Sequence, residues 1–306
     1  MRTTRIILAA IAVTALTGAA LTACATPPDG RPVVVVSTNI LGDVVDELVG
    51  EQAEVVTLMK PNADPHSFEI SAQQAIILRE ADLLVSNGLG LEERLQQHLD
   101  AARETDVASF VAGEVIDVLD YSEGDAAGMP DPHFWTDPAR MTDVVDALAV
   151  TLGEIDGIDP HSLETAVADY RSELEGLDAE MVASFEGIPD ERRALVSNHH
   201  VFGYLAQRFD FDVIGAVIPG GTTLAAPSAS DLADLVHAIE ETGVPTIFAE
   251  SSSPDRLVQA LAREADIHVD VVELYTESLT EAHGGAPDYL TMMRVNTERI
   301  TTGLSS

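Results

Sequence analysis

Histidines and one carboxylate that could bind a metal ion lie in loops that follow apolar runs. The tripeptide Asp-Pro-His occurs twice, ending at His66 and at His133, and a late polar loop contains Glu277. Between them, His199 and His200 follow another apolar run and compete for one role. Imidazole nitrogens and a carboxylate suit a borderline divalent cation such as zinc, and the set offers no thiolate to a soft metal. This combination of residues predicts a site for a divalent metal ion.

The spacing of these residues requires four separate loops to converge. His66, His133, His199 and Glu277 are separated by 67, 66 and 78 residues. Each follows a predicted strand or a loop that leaves one, and in open α/β sheets ligands bind at the carboxyl ends of the strands. We therefore expect two sheets to direct these ends into a cleft between two domains, which is a common place for a ligand.

Apolar, β-branched runs alternate with segments of helical periodicity through most of the chain. The first run, Val33–Ser37, has no polar alternation, as expected for a parallel strand covered on both faces. One such alternation precedes Pro160–Phe185, the longest uninterrupted helical pattern, and a second follows it. At about 1.5 Å per residue this stretch would span roughly 39 Å, enough to cross between domains. The pattern predicts an α/β fold of two lobes with parallel sheets, each of (β/α)4 type, joined by one long helix.

The N-terminal segment differs in composition from the rest of the chain. Residues 1–23 combine a basic start with an apolar, alanine-rich run, which is typical of a signal peptide. Cys24 follows a sequence like a bacterial lipobox and is the single cysteine, so it predicts a lipid anchor; a plain secretory signal with an incidental cysteine is the alternative. We therefore predict a signal peptide at 1–23, a lipidated tether at 24–31, an N-terminal lobe at 32–157, a linking helix at 158–187 and a C-terminal lobe at 188–306.

The charge balance argues against one class of partner. The chain contains 52 acidic and 16 basic residues, for a net charge of −36. Nucleic acid is not expected to bind, because so few cations would release few counterions from phosphates. The acidity indicates a soluble surface that attracts cations generally, and diffuse acidity of this kind does not make a metal site.

Several other residues have weaker claims to a role in the site. Glu250 ends a predicted strand on the same face, where it could accept a hydrogen bond from a metal-bound imidazole or serve as a buried structural carboxylate. Trp135, two residues after His133, is expected to pack rather than to contact a ligand. The remaining histidines have no matching motif and are expected to be structural or surface residues: His98, His161, His237, His268 and His283.

The sequence around these residues resembles the metal-binding lipoproteins of bacterial ABC importers, the cluster that takes up zinc or manganese. The resemblance covers essentially everything after Cys24. It implies two α/β lobes joined by a rigid long helix with little hinge motion, in agreement with the periodicity. It rests on the following blocks, in order: Asn62–Glu69, Asp131–Trp135, Asn198–Tyr204, Phe248–Ser251, Tyr275–Leu279, Tyr289–Met293 and Asn296.

The resemblance also implies which residues bind the metal. The first two ligands would be His66 and His133 from the N-terminal lobe. In the family the third ligand precedes an aromatic-glycine-aromatic segment, and matching Phe202–Tyr204 to that segment selects His199 over His200.

The fourth ligand is usually an aspartate, and this chain has Glu277 at that place. The extra methylene leaves open whether the carboxylate binds through one oxygen or two. It also leaves open whether Glu250 or a water molecule takes the role instead.

The function implied by the resemblance is transport rather than catalysis. The chain would be an extracytoplasmic solute-binding protein, anchored to the cell membrane through Cys24 and monomeric. It would deliver a divalent metal to an ABC permease and its ATPase, and it would need no catalytic cofactor. Release of the metal would require the permease to separate the lobes or to move the Glu277 loop. An adhesin-like surface role would not exclude transport, and nothing in the sequence favours it.

The identity of the metal is less sharply indicated. Three histidines with a carboxylate favour Zn²⁺ over Mn²⁺, although the loop Tyr121–Met129 lacks the histidine-rich insertion common in zinc-specific members. Binding should weaken as the pH falls through the histidine range, near about 6.5. A secreted zinc hydrolase is a remote alternative, because four protein ligands leave no open position for water and the sequence has no His-Glu-x-x-His helix.

Overall fold

The computed structural model describes residues 30–105, 107–122, 126–265 and 267–305. The predicted signal peptide, Cys24 and the tether up to residue 29 lie outside the described residues. In the part of the chain that the structure describes, no helix is both long enough and apolar enough to cross a membrane.

The first half of the chain forms a four-stranded parallel sheet. Its strand order is β2-β1-β3-β4, and β1 and β3 are buried along their whole length. Burial on both faces is the reason for the uninterrupted valine run of β1. The strands and helices of this lobe are β1 (Val33–Val36), α1 (Asn39–Val49), β2 (Glu54–Thr57), α2 (Ala72–Arg79), β3 (Leu83–Ser86), α3 (Gln96–Arg103), β4 (Ala108–Val111) and α4 (Pro138–Leu152).

The second half repeats this arrangement after the long helix α5 (Pro160–Phe185). Its sheet is also parallel and has the order β6-β5-β7-β8, so both sheets place their first strand between the second and third. Two parallel sheets with interleaved helices confirm the predicted α/β fold class. The elements are β5 (Ala194–Ser197), α6 (Gly203–Phe209), β6 (Asp212–Ala216), α7 (Ala229–Thr242), β7 (Thr246–Glu250), α8 (Arg256–Glu264), β8 (Asp270–Leu274) and α9 (Tyr289–Ser305).

The last strand lies further along the chain than its sequence predicts. The apolar pattern predicts a strand from Ile267 to Val272, whereas β8 runs from Asp270 to Leu274. Pairing with β7 sets this register, with Thr246 opposite Asp270 and Glu250 opposite Leu274. As a consequence Glu273 belongs to the strand and not to the loop that leaves it.

Helix α5 has the bounds that its periodicity predicts. Asp159 caps it by accepting a hydrogen bond from the backbone N–H of Ser162 at 2.9 Å, and Pro160 occupies its first turn. The helix packs against α1 and α4 of the first half and against α9 of the second. Its buried positions recur every three to seven residues along one face: Leu163, Tyr170, Leu174, Leu177, Met181 and Phe185.

One apolar core extends through both halves of the molecule. It contains Val34 and Val36 of the first sheet together with Phe248 and Leu274 of the second, and the buried side chains of α5 belong to it. The two sheets are therefore joined by one continuous packed interior. The division of the chain at 157/158 and 187/188 remains a prediction.

Candidate metal centre

The carboxyl ends of the strands deliver four side chains to one point between the sheets. His66 lies in the loop after β2, and His133 precedes α4. His199 stands two residues after β5, and Glu277 three residues after β8. Each offers one ligand atom, and these atoms all lie within 4.8 Å of one another; all four residues are buried. The structure therefore brings together the four residues that the sequence selects.

The distances between the four groups match those around a small cation. Oε1 of Glu277 lies 3.0 Å from Nε2 of His66, 3.2 Å from that of His133 and 2.9 Å from that of His199. Nε2 of His133 is 3.4 Å from Nε2 of each other imidazole. Ligand atoms bound at about 2.0–2.1 Å to tetrahedral zinc stand about 3.3 Å apart. A divalent ion therefore fits among these atoms with only small side-chain movements.

Glu277 is the electrostatic centre of the group. Burial raises its pKa, but the charges of His199 and His66 outweigh that effect and hold the pKa well below its usual value. Burial lowers the pKa of His66, but the Glu277 carboxylate raises it by more than burial lowers it. The resulting pKa of His66 is about 9. Burial also lowers the pKa of His199, but Glu277 and Glu250 together raise it. The pKa of His199 is therefore well above the usual value for histidine. In the absence of metal, protons on the imidazoles thus balance the buried carboxylate.

Both Asp-Pro-His tripeptides form the same backbone turn. Oδ1 of Asp64 accepts a hydrogen bond from the backbone N–H of His66 at 2.9 Å, and Oδ1 of Asp131 accepts one from His133 at 3.0 Å. Aspartate side chains favour this local bond, and proline stiffens the residue between them. The turn fixes the direction in which each imidazole leaves the backbone.

Each imidazole turns its second nitrogen toward a carboxylate. Nδ1 of His133 lies 2.7 Å from Asp131, Nδ1 of His199 3.4 Å from Glu250, and Nδ1 of His66 3.5 Å from Glu93. The first is a short hydrogen bond, and the other two are longer charge contacts. A carboxylate at Nδ1 holds the proton there and leaves Nε2 free for a metal. Of the two roles open to Glu250, its position beside Nδ1 of His199 favours the contact with an imidazole.

Three of the groups around the imidazoles were not predicted from the sequence. The carboxylates of Asp131 and Glu93 face imidazoles, and the hydroxyl of Tyr121 lies 3.1 Å from Nδ1 of His133. Burial and the nearby Asp131 charge raise the pKa of Tyr121, so its hydroxyl stays neutral and donates to the Asp131 carboxylate. The repeated Asp-Pro-His pattern is a signal that could have identified Asp131. Glu93 and Tyr121 lie in connecting segments without a motif.

The Glu277 loop is fastened to the N-terminal lobe by hydrogen bonds. Nε1 of Trp135 donates to the backbone oxygen of Thr276 at 2.8 Å. On the other side of Glu277, Asn39 donates to Oγ of Ser278 at 2.9 Å and accepts from the N–H of Leu279 at 3.0 Å. Trp135, expected only to pack, thus also anchors the loop.

The other histidines do not join this group in the part of the chain that the structure describes. His200 lies outside it, with its ring 6.3 Å from that of Tyr121. His237 and His268 are surface residues, with side chains 74% and 90% exposed. Of the two adjacent histidines, His199 therefore lies within the group and His200 lies outside it.

Comparisons of the sequence and of the structure with known proteins identify the same family. The sequence profile described as ZnuA, zinc-uptake complex component A, periplasmic, matches residues 34–303. The chain is 30% identical to the zinc-binding protein TroA of Treponema pallidum over 281 residues, covering 90% of each chain. It is 27% identical to the manganese-binding lipoprotein MntA of Halalkalibacterium halodurans, covering 92% of this chain and 91% of that one. The solved structure of Treponema pallidum TroA superposes with a TM-score of 0.83 at 28% identity, covering 90% of this chain and 100% of TroA.

Proposed function

We propose, on the premise that this chain belongs to the zinc-uptake complex component A family, that it captures Zn²⁺ outside the cytoplasm and delivers it to an ABC permease. The coarser description does not depend on which metal is carried. The chain is a metal-binding, solute-binding protein of ABC transport and not an enzyme. The observation that supports the proposal most strongly is the group of four buried ligand atoms within 4.8 Å.

His66, His133, His199 and Glu277 are the proposed metal ligands. A zinc ion among them would receive three neutral imidazole nitrogens and one carboxylate oxygen, a set that suits tetrahedral zinc. Metal binding would displace the imidazole protons that otherwise balance Glu277. The ion is cargo, so a closed set of ligands with no open position serves its function.

Manganese is the second candidate because one carboxylate oxygen is left over. Oε2 of Glu277 is buried and has no hydrogen-bond partner in the part of the chain that the structure describes. A metal with a preference for oxygen ligands and higher coordination could take both carboxylate oxygens. The relatives include one named for zinc and one named for manganese.

Location and partners are part of the same proposal. We place the protein at the outer face of the cell membrane, held by a lipid on Cys24, as a monomer that meets a permease and its ATPase. Relatives with the word lipoprotein in their names support the anchor. The leader-like composition of residues 1–23 supports export.

Competitive metal titration tests the proposal. The purified protein, stripped with a chelator, would be titrated with zinc and with manganese by calorimetry, beside the Glu277→Ala and His200→Ala variants. We expect one zinc ion per chain, strongly weakened binding in Glu277→Ala and unchanged binding in His200→Ala. Preference for manganese would retain the site and change the cargo. Absence of stoichiometric binding of either metal would overturn the proposed function.

A further inference from the structure

We propose that Glu93 forms the solvent entrance of the metal centre, so that divalent ions reach and leave the four ligands on the His66 side. The proposal rests on the proposed function, because it concerns the route to that same site. In this proposal Glu93 contacts the His66 imidazole and also takes part in the entry and release of the metal ion. The argument uses burial, the contacts across the cleft and the position of charge.

Burial distinguishes Glu93 from its two counterparts. The four proposed ligands are no more than 1% exposed, so an ion cannot reach them directly from solvent. The Asp131 and Glu250 side chains beside the other imidazoles are 3% and 1% exposed, whereas the Glu93 side chain is 39% exposed. Of the three carboxylates at Nδ1 positions, Glu93 is therefore the one that connects a ligand to water.

The contacts that close this side of the cleft are between side chains. The hydroxyl of Thr222 donates a hydrogen bond to the Glu93 carboxylate. The neighbouring Thr223 donates to Oδ2 of Asp64 at 2.7 Å. Both threonines follow β6 in the second half of the chain, so they close over the His66 loop from the opposite lobe.

The opposite side of the centre is closed differently. There the Glu277 loop is held through its backbone groups, because Trp135 donates to the Thr276 oxygen and Asn39 accepts from the N–H of Leu279. These bonds involve buried groups that would lose their partners if the loop moved. Two hydroxyl–carboxylate contacts at a partly exposed edge are easier to exchange for water. The His66 side therefore offers the lower barrier to a passing ion.

The chemistry of Glu93 suits a hydrated cation in transit. Its side chain is 39% exposed, so water stabilises the ionised carboxylate at neutral pH. A carboxylate binds zinc, manganese and similar divalent ions through oxygen. An ion held there would stand beside Nδ1 of His66, and a small rotation of that ring would open the way to Nε2. The negative edge would also raise the local concentration of cations.

A purely orienting role for Glu93 gives a different expectation. A residue that only holds the imidazole would stabilise the bound state, so its loss would speed dissociation and leave association unchanged. A residue at the entrance stabilises the ion in passage, so its loss would slow both steps. Glu250 provides the matched case of a buried carboxylate beside an imidazole that is remote from solvent.

The test is stopped-flow measurement of zinc association, and of dissociation into excess chelator, for the parent and for Glu93→Gln. Glutamine keeps an oxygen that accepts from Nδ1 and removes the charge. We expect the association rate constant of Glu93→Gln to fall about tenfold, the dissociation rate constant to fall by a similar factor, and Kd to change less than about threefold. In Glu250→Gln we expect faster dissociation with an unchanged association rate.

Two further variants complete the experiment. Glu69→Gln removes one charge from the His66 loop at a side chain that is 70% exposed and paired with Arg94, and it should leave both rates unchanged. Thr222→Val removes the closing hydroxyl and should accelerate both association and dissociation, about threefold or more. Thr222→Val gives an independent answer if Glu93→Gln folds poorly.

Specific outcomes would overturn the proposal. Faster dissociation of Glu93→Gln with the parent's association rate would leave it an orienting role only. If Glu69→Gln slowed association as much as Glu93→Gln does, the slower association would be explained by the loss of any negative charge on the surface. Failure of the parent to bind zinc or manganese would refute the proposed function instead, and equilibrium titration of the parent distinguishes that case.

Discussion

The two Asp-Pro-His loops share a backbone turn and differ in what lies beside Nδ1 of the imidazole. In each, the aspartate accepts a hydrogen bond from the histidine N–H two residues later, at 2.9 and 3.0 Å. Asp131 also contacts the ring of its own histidine at 2.7 Å, whereas the ring of His66 contacts Glu93 from a different connection. The same three residues thus produce one self-contained unit and one that depends on a neighbouring segment.

The difference shows how two similar motifs can divide a function. The His133 ring is enclosed by Asp131, Tyr121 and Trp135, so few of its surroundings can move without exposing buried polar groups. The His66 ring meets a partly exposed carboxylate at an edge closed by threonine hydroxyls. We interpret the His133 loop as the fixed half of the site and the His66 loop as its exchangeable half.

Removal of either imidazole gives the largest effect and tests the comparison directly. Structural zinc sites bind with about 10–16 kcal/mol from four ligands, so one ligand contributes roughly 3 kcal/mol, or more than about a hundredfold in affinity. We expect His133→Ala to lose more than His66→Ala, because water can occupy the vacated position more easily at the exposed edge. Calorimetric zinc titration measures both.

The control for this pair is His237→Ala, at a side chain that is 74% exposed. It should bind zinc as the parent does. Retention of full affinity in His133→Ala would remove His133 from the site. Equal losses in the two ligand variants would abolish the distinction between a fixed and an exchangeable half.

Replacing the two aspartates gives the next largest effect and isolates the ring contact. Asparagine keeps Oδ1 as an acceptor for the backbone turn in both Asp131→Asn and Asp64→Asn. Loss of the charge beside the His133 ring should weaken zinc binding about 10–100-fold, whereas Asp64→Asn should weaken it less than about threefold. Equilibrium competition with a zinc chelator measures the two Kd values. A larger loss in Asp64→Asn than in Asp131→Asn would contradict the comparison.

The change in zinc affinity over one pH unit is expected to be the smallest of these effects. Burial lowers the pKa of His66, but Glu277 raises it to about 9, so zinc must displace a proton from this ring at any pH below that. Affinity should therefore rise with pH, by about tenfold per unit for each proton displaced, up to about pH 9. If His66 had the ordinary pKa of histidine, the affinity would stop rising at about pH 6.5.

His66→Ala sharpens this expectation. Without the ring, one displaced proton disappears, and the slope of log Kd against pH near pH 7 should decrease by about one. Calorimetry in buffers of different ionisation enthalpy counts the protons released. An unchanged count in His66→Ala would show that this imidazole is already neutral before metal arrives.

The sequence alone predicts the parts of the fold that local rules determine. Helix α5 has the predicted bounds because Asp159 and Pro160 form a capping signal and its apolar residues recur at helical spacing. Strand β8 is displaced from its predicted place because pairing with β7, and not its own apolar pattern, sets its register. Local pattern cannot determine a register that a distant strand imposes.

The same distinction applies to the candidate site. His66 and His133 stand out in the sequence because proline and aspartate mark their loops. Glu93 lies 27 residues from His66 (93 minus 66) in a connection with no motif, and only the fold brings the two within 3.5 Å. Asn39 accepts a hydrogen bond from the N–H of Leu279, which is 240 residues away in the sequence. Asn39 is the first residue of helix α1, and no motif marks it. Contacts of this kind depend on tertiary structure.

Trp135 gives the metal centre a built-in optical reporter. It is the single tryptophan of the chain, its ring centroid lies 5.3 Å from that of His133, and its N–H is bonded to the Glu277 loop. A cation bound among the four proposed ligands would change the charge beside the indole, and indole emission depends on nearby charges. The ultraviolet fluorescence of the unlabelled protein should therefore follow occupancy of the centre in real time, without a dye or an engineered probe.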